Sequence, residues 1–305
     1  MLHESAFAHA LGVRKVEGQR PATGQVEAAD RLKSPPAKPA GGTVRVLMIG
    51  DVIGKTGRIA LSEVLPALRA ERHADLVTAN GENLAGGMGL TASTAAALYE
   101  AGVDVITSGN HIWDKREIYP ELDRDERILR PLNYGTDGVP GRGWGVFRAG
   151  GTEVAVINAQ GRTYMAQIEN PFTMLDELLD QGAVELPAVR VVDFHCELTS
   201  EKNAFGVYLD GRVSAVCGTH THVATADERI LPRRTAYITD IGMTGAAYSV
   251  IGFDPATVIP RFINALPTRF EVASGPVVLN AVQIDIDSAT GAANTIERIT
   301  RMVDQ

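Results

Sequence analysis

From Val44 onward the chain settles into short apolar runs separated by amphipathic stretches. Residues 44–49 form an apolar run that stops at Gly50-Asp51, which predicts a buried parallel strand. Residues 57–68 have helical spacing, with Ile59, Val64, Leu65 and Leu68 close to one face. A strand over 76–80, a helix over 91–101 and a strand over 103–107 follow. Strand alternating with helix in this way predicts a parallel α/β layer.

The second half repeats the theme less regularly. Residues 154–157 predict a strand, and 171–179 a helix with Pro171 in its first turn. Further strands are predicted over 189–194, 215–217 and 236–238, the last two ending at Gly218 and Asp240. The alternation over 277–286 suggests antiparallel strands that close the sheet. Residues 1–43 have no usable periodicity and run through Pro35-Pro36 to Gly41-Gly42. They read as a flexible N-terminal extension, or as sequence upstream of a true start near Val44, with 44–305 as the folded domain.

Composition narrows the class. The chain has 305 residues, 45% hydrophobic and 22% charged, which is an ordinary globular balance. A single α/β domain of this size buries enough surface to need no covalent staples. Two cysteines, Cys196 and Cys217, in so long a chain point to a reduced, cytoplasmic setting. The net charge of −8 argues against general nucleic-acid coating, although bound cations would still let a pocket take a small anion. No apolar run reaches bilayer length, so no membrane partner is expected, and Glu4 interrupts any secretory start.

Chemistry-capable residues then fall at strand ends. Asp51 follows the first strand, Glu82 and Asn83 the second, Asn110 and His111 the third; His195 closes another, and His220-Thr221-His222 follows the next. Taken singly, each has an ordinary alternative: a helix cap for Asp51, polar turns for the Glu82 and Asn110 segments, a surface turn for the two histidines. Together, five strand ends deliver candidate ligands to one edge, where open α/β sheets place their sites. Three histidines, one aspartate, one glutamate and two asparagines are too many for one ion. They suit two ions about 3.5–4 Å apart, sharing a bridging carboxylate and water. The donors fit iron or manganese, with zinc also accepted, and no Cys-rich structural zinc pattern is present.

The segments Gly50-Asp51-Val52-Ile53-Gly54, Asn80-Gly81-Glu82-Asn83, Gly109-Asn110-His111-Ile112-Trp113-Asp114, Asp193-Phe194-His195 and Gly218-Thr219-His220-Thr221-His222 resemble motifs of the calcineurin-like metallophosphoesterases. More narrowly they are similar to the YmdB-like branch, bacterial phosphodiesterases associated with 2′,3′-cyclic nucleotides. The segments 158–163, 199–202 and 239–245 also resemble that branch, so the likeness runs from Val44 to the end. The resemblance implies a four-layered α/β/β/α sandwich with mixed sheets. It implies that Asp51, Glu82, Asn83 and His222 surround one metal, and that Glu82 bridges to a second completed by Asn110, His195 and His220.

By the same resemblance His111 is the general acid for the leaving alkoxide, while a metal-bridged hydroxide attacks phosphorus. Arg162 and Thr163 are assigned to the substrate side. The wider superfamily has a histidine where this chain has Ile53 and an aspartate where it has Glu82. Both departures are shared with the narrower branch, and Asn83 is expected to take the missing ligand's place.

The function expected is hydrolysis of a small phosphodiester, 2′,3′-cyclic nucleotides foremost. Three alternatives stay open: a phosphomonoesterase or nucleotidase on the same site, a non-catalytic regulatory binding protein, and a P-loop nucleotide binder. The last is one residue short between the glycines of Gly50–Gly54. A homo-oligomer is the default assembly for such an enzyme.

Overall fold

The computed structural model describes residues 42–135, 138–180 and 185–304, all within one compact unit. The expected extension 1–43 lies outside the described residues except for its last two. In chain order the elements are β1 (Thr43–Ile49), β2 (Asp51–Val52), α1 (Gly54–Arg72), β3 (Leu76–Asn80), α2 (Ala92–Ala101), β4 (Val105–Thr107) and α3 (Tyr119–Arg124). Then come β5 (Trp144–Ala149), β6 (Thr152–Gln160), α4 (Pro171–Asp180), β7 (Val189–His195), α5 (Thr199–Tyr208), β8 (Ala215–Thr219), β9 (Arg229–Ile230) and β10 (Ala236–Ile238). β11 (Met243–Ala246), α6 (Pro255–Asn264), β12 (Val277–Asp287) and β13 (Ala293–Val303) complete the chain.

Two mixed sheets form among the described residues. The first has the order β2-β11-β12-β1-β3-β4, with β13 added on β12; the second runs β5-β6-β7-β8-β10-β9. β1 sits between parallel β3 and antiparallel β12, so the expected antiparallel closure over 277–286 is where β12 pairs with β1, β11 and β13.

Period-two alternation sorts the core into layers. On β1, Leu47 and Ile49 pack with Leu61, Leu65 and Leu68 of α1 and Leu98 of α2. Val44, Val46 and Met48 face the other way, against Val154, Val156, Val189 and Val191 of the second sheet. On β7, Val192 and Phe194 turn outward to Leu175 of α4 and Phe205 of α5. Phe194 and Phe205 stack with ring centroids 3.9 Å apart. The result is an α/β/β/α sandwich with both faces of its central strands buried, which is why those strands are predominantly apolar.

α1 is longer than its expected span at both ends, and its buried face is Gly57, Ala60, Leu61, Leu65 and Leu68. Ile59, expected on that face, lies exposed, because glycine and alanine, not a second large side chain, occupy the turn nearest the sheet. No helix among the described residues is long and apolar enough to cross a membrane. Cys196 and Cys217 are buried free thiols.

Candidate metal centre

The carboxyl ends of the two sheets meet along one edge of the sandwich. The first sheet brings oxygen donors: Asp51 in β2, Glu82 and Asn83 just after β3, and Asn110 at the start of a 3-10 turn after β4. The second brings nitrogen: His195 at the end of β7, and His220 and His222 in the loop after β8. Glu82 stands in the middle. Its Oε1 is 3.1 Å from His195 Nε2, and its Oε2 accepts the His111 amide at 3.1 Å. His220 Nδ1 lies 3.0 Å from His195 Nε2, and His222 Nε2 lies 3.8 Å from Asp51 Oδ1.

Two groups result. Donor atoms of Glu82, His195 and His220 lie within 4.8 Å of one another, as do those of Asp51, Glu82 and His222. Glu82 belongs to both.

Each imidazole is anchored through the nitrogen that does not face this cluster. His195 Nδ1 bonds Thr219 Oγ1 at 2.9 Å, and that hydroxyl donates to the buried Asp193 at 2.6 Å. Thr107 Oγ1 and Asn80 Nδ2 donate to the other Asp193 oxygen. His222 Nδ1 bonds the Ile251 carbonyl at 2.9 Å, and His220 Nε2 is 3.0 Å from Glu197 Oε2. A ring N–H fixed on a hydroxyl, carbonyl or carboxylate leaves the opposite nitrogen as a lone-pair donor, the usual support of a metal-ligating histidine.

Buried oxygens without partners test the fit independently. Asp51 Oδ1, Asn83 Oδ1 and Asn110 Oδ1 are sealed from solvent and accept no hydrogen bond. Leaving such an acceptor unsatisfied costs about 1–3 kcal/mol, so three at one place are best explained by cations. The neighbouring charges agree. Burial pushes Asp51 up to about 6 against the pull of His222 and His195. Burial also opposes ionisation of Glu82, but His195 outweighs it and brings the group down to about 2. Desolvation works against a charge on His195, yet Glu82 overcomes it and holds the imidazole up at about 9. Burial and the His195 charge drive His220 down to about 3. The carboxylates of this cluster thus depend on positive charge beside them, which a cation held by the same donors would supply.

The histidine loop is held under strain. His220 and His222 have φ of 95° and 64°, a region that costs non-glycine residues roughly 1–3 kcal/mol each. Asp240, just after β10, clamps the residue between them. Its Oδ2 accepts both the Thr221 amide (3.1 Å) and hydroxyl (2.8 Å), and also Lys202 Nζ from α5 at 2.6 Å. Gly218 leads into the same loop, where any Cβ would overlap the Thr239 carbonyl.

Above the cluster opens a cleft of about 320 Å³. Glu82, Asn83, His111, His220 and His222 line one side, while Met88, Ile251, Phe253 and Phe270 form an apolar wall. Asp51 and His195 lie fully buried. His111 Nδ1 pairs with Asp114 Oδ2 at 2.8 Å. Arg162 and Thr163, expected on the substrate side, do not line this cleft: their amides are tied to the Glu201 carboxylate. Ile53 is fully buried against Gly245 and Gly252, so the position is spent on packing. Sequence reasoning misses Glu197 altogether and gives no role to Asp193, Lys202 and Asp240, although all three lie in segments that resemble the family. The aspartates carry the strand-end signal that marks the ligands themselves, but Glu197 carries none.

A family model described as YmdB-like protein matches residues 47–299. The 2′,3′-cyclic-nucleotide 2′-phosphodiesterase of Bacillus subtilis (strain 168) is 49% identical over 256 residues, 84% of this chain and 96% of that protein. Among solved structures, a hypothetical protein of Thermus thermophilus superposes with a TM-score of 0.80 at 41% identity, covering 85% of this chain and 99% of that one. A structure described as a novel phosphatase of Mycoplasma pneumoniae gives a TM-score of 0.80 at 37% identity over 86% and 94% of the two chains.

Proposed function

This chain belongs to the YmdB-like protein family, and from that premise we propose that its 44–305 domain is a dinuclear metal-dependent phosphodiesterase acting on small phosphodiesters, 2′,3′-cyclic nucleotides foremost. The observation that carries the proposal is the trio of orphaned oxygens, on Asp51, Asn83 and Asn110, around three imidazoles anchored from behind. Asp51, Glu82, Asn83 and His222 would hold one ion; Glu82, Asn110, His195 and His220 would hold the other. Iron and manganese suit this mixed oxygen and nitrogen set, as does zinc. Bound there, the metals supply positive charge against the phosphoryl oxygens and acidify the attacking water.

The chain's own groups do the rest. Glu82 keeps both halves of the site in register through its two oxygens. His111 stands at the cleft with Nδ1 held by Asp114, which leaves Nε2 to deliver a proton to the departing 2′-oxygen. The apolar wall of Met88, Ile251, Phe253 and Phe270 suits the flat face of a base, which supports a nucleotide over a bare alkyl ester. His111→Ala is expected to keep its metals and its melting temperature but to lose about 10²–10⁴ in kcat. Elemental analysis beside steady-state rates separates the two effects, and an unchanged kcat removes His111 from the reaction.

The substrate class is tested by giving the metal-reconstituted protein bis-(p-nitrophenyl) phosphate, p-nitrophenyl phosphate and 2′,3′-cyclic nucleotides in parallel. The expected order places the cyclic nucleotides first and the monoester last. Preference for the monoester would replace this reading with a phosphatase on the same metals.

A further inference from the structure

β7, β8 and β10 are neighbouring parallel strands of the second sheet, and the candidate metal centre uses only their carboxyl ends. At their amino ends lies a second cavity, of about 310 Å³. Arg190 of β7, Arg212 from the turn before β8, and Arg233 and Arg234 from the turn before β10 line it, with Thr290 and Gly291 of the β12–β13 turn closing one side. Arg190 and His195 sit five residues apart on one extended strand, which separates the two sites by roughly 16 Å.

The charge in this cavity is largely uncompensated. Arg212 is the paired member, bridging Asp176 and Asp180 at 2.7 Å each. Among the described residues the Arg190 guanidinium bonds carbonyls, those of Pro187 at 2.9 Å and Arg212 at 3.2 Å. Arg234 bonds the neutral Asn294 amide oxygen at 2.9 Å. The Arg233 guanidinium has no hydrogen bond or ion pair among the described residues, and its side chain lies over Gly211. The Asp210 carboxylate, beside this turn, is occupied by the backbone amides of Arg233 and Thr235. No carboxylate lines the cavity among the described residues.

Three guanidinium groups thus gather without an ion pair among the described residues, in a protein whose formal charge is −8, while the flanking Asp210 and Asp287 carboxylates are engaged by amides and the Thr290 hydroxyl. Like charges brought together repel, and a bound anion removes that repulsion. Three of the four, Arg190, Arg212 and Arg234, are already held by hydrogen bonds, so little freedom is lost on binding. Guanidinium forks match phosphate oxygens in pairs, and a cavity of this volume is at the small end of ligand pockets, larger than a bare phosphate needs.

We propose that this arginine cavity is a second binding site, for a small organic phosphate carrying two or more negative charges, separate from the catalytic cleft. The site is independent of the proposed reaction. The probe is adenosine 3′,5′-bisphosphate, titrated calorimetrically into the metal-loaded protein, with adenosine as the uncharged control. Binding is expected with a Kd below about 1 mM, weakening as salt rises, and adenosine gives none.

Glu82→Ala, which disables the metal centre, retains this binding. Arg233→Glu, at an exposed position, weakens it at least roughly tenfold while hydrolysis of bis-(p-nitrophenyl) phosphate stays at the wild-type rate. Arg190→Gln serves as a second variant, with circular dichroism confirming its fold. Binding that vanishes in Glu82→Ala but survives both arginine substitutions belongs to the catalytic cleft and overturns the proposal. So does the absence of any binding by the wild type.

Discussion

Gly109→Ala is expected to cut both metal retention and turnover sharply while leaving the fold nearly intact. Gly109 ends the stretch between β4 and the 3-10 turn that carries Asn110 and His111. Its φ of −153° lies outside the left-handed region, so a positive φ is not the issue. Space is. A Cβ at this position would overlap Cδ2 and Nε2 of His195, a donor of one cluster, and Oε2 of Glu82, the donor shared by both.

Those side chains have no slack. His195 is pinned by Thr219 and Asp193, and Glu82 is pinned by His195 and the His111 amide. One added methyl therefore moves the shared carboxylate or its imidazole by about the ångström that costs an active site 10²-fold or more. The expected result is a loss of at least about 10² in kcat/KM, a clear fall in bound metal, and a melting curve close to wild type. A variant that kept full metal content and full rate would falsify the crowded geometry around Glu82.

The same crowding explains what sequence could and could not disclose. The central strands are legible because burial on both faces makes them mostly apolar, Val46 to Ile49 of β1 without a break and β7 interrupted by Arg190 and Asp193. α5 is not legible as a helix, since its buried face is Lys202, Phe205 and Gly206, a lysine and a glycine where periodicity needs hydrocarbons. α6 escapes for the opposite reason: Ile259, Phe262 and Ile263 give it an apolar stripe, yet that stripe is exposed and Val258 alone is buried. β5 is half exposed, and β9 is only two residues long.

At the site, the seven candidate ligands are legible because each ends or follows a strand, and strands that share a sheet must end near one another. The groups behind them obey no such rule. Glu197 meets His220 only because two loops of the second sheet are folded side by side, and nothing in the spacing of 197 and 220 requires it.

The largest stability effect should come from one of these supporting groups. Lys202→Met is expected to destabilise the protein by about 3–5 kcal/mol and to cost it metal as well. Lys202 and Asp240 are both essentially inaccessible, so the ammonium at 2.6 Å is the only full charge compensating that carboxylate among its described partners. Replacing the lysine with a side chain of similar shape keeps most of the packing against Gly218 but leaves Asp240 buried and unpaired.

The stranded carboxylate then draws in water, which weakens its hold on Thr221. That hold keeps His220 and His222 in their left-handed backbone conformations, which relax once the clamp loosens. Denaturant unfolding should show the loss directly, and thermal melting should fall by about 10 °C for a domain of this size. Asp240→Asn in the Lys202→Met background removes the stranded charge, so the double variant should recover stability without recovering metal affinity. If the single variant melts like wild type, the pair contributes nothing to the fold, and the strained loop must be held by its histidines alone.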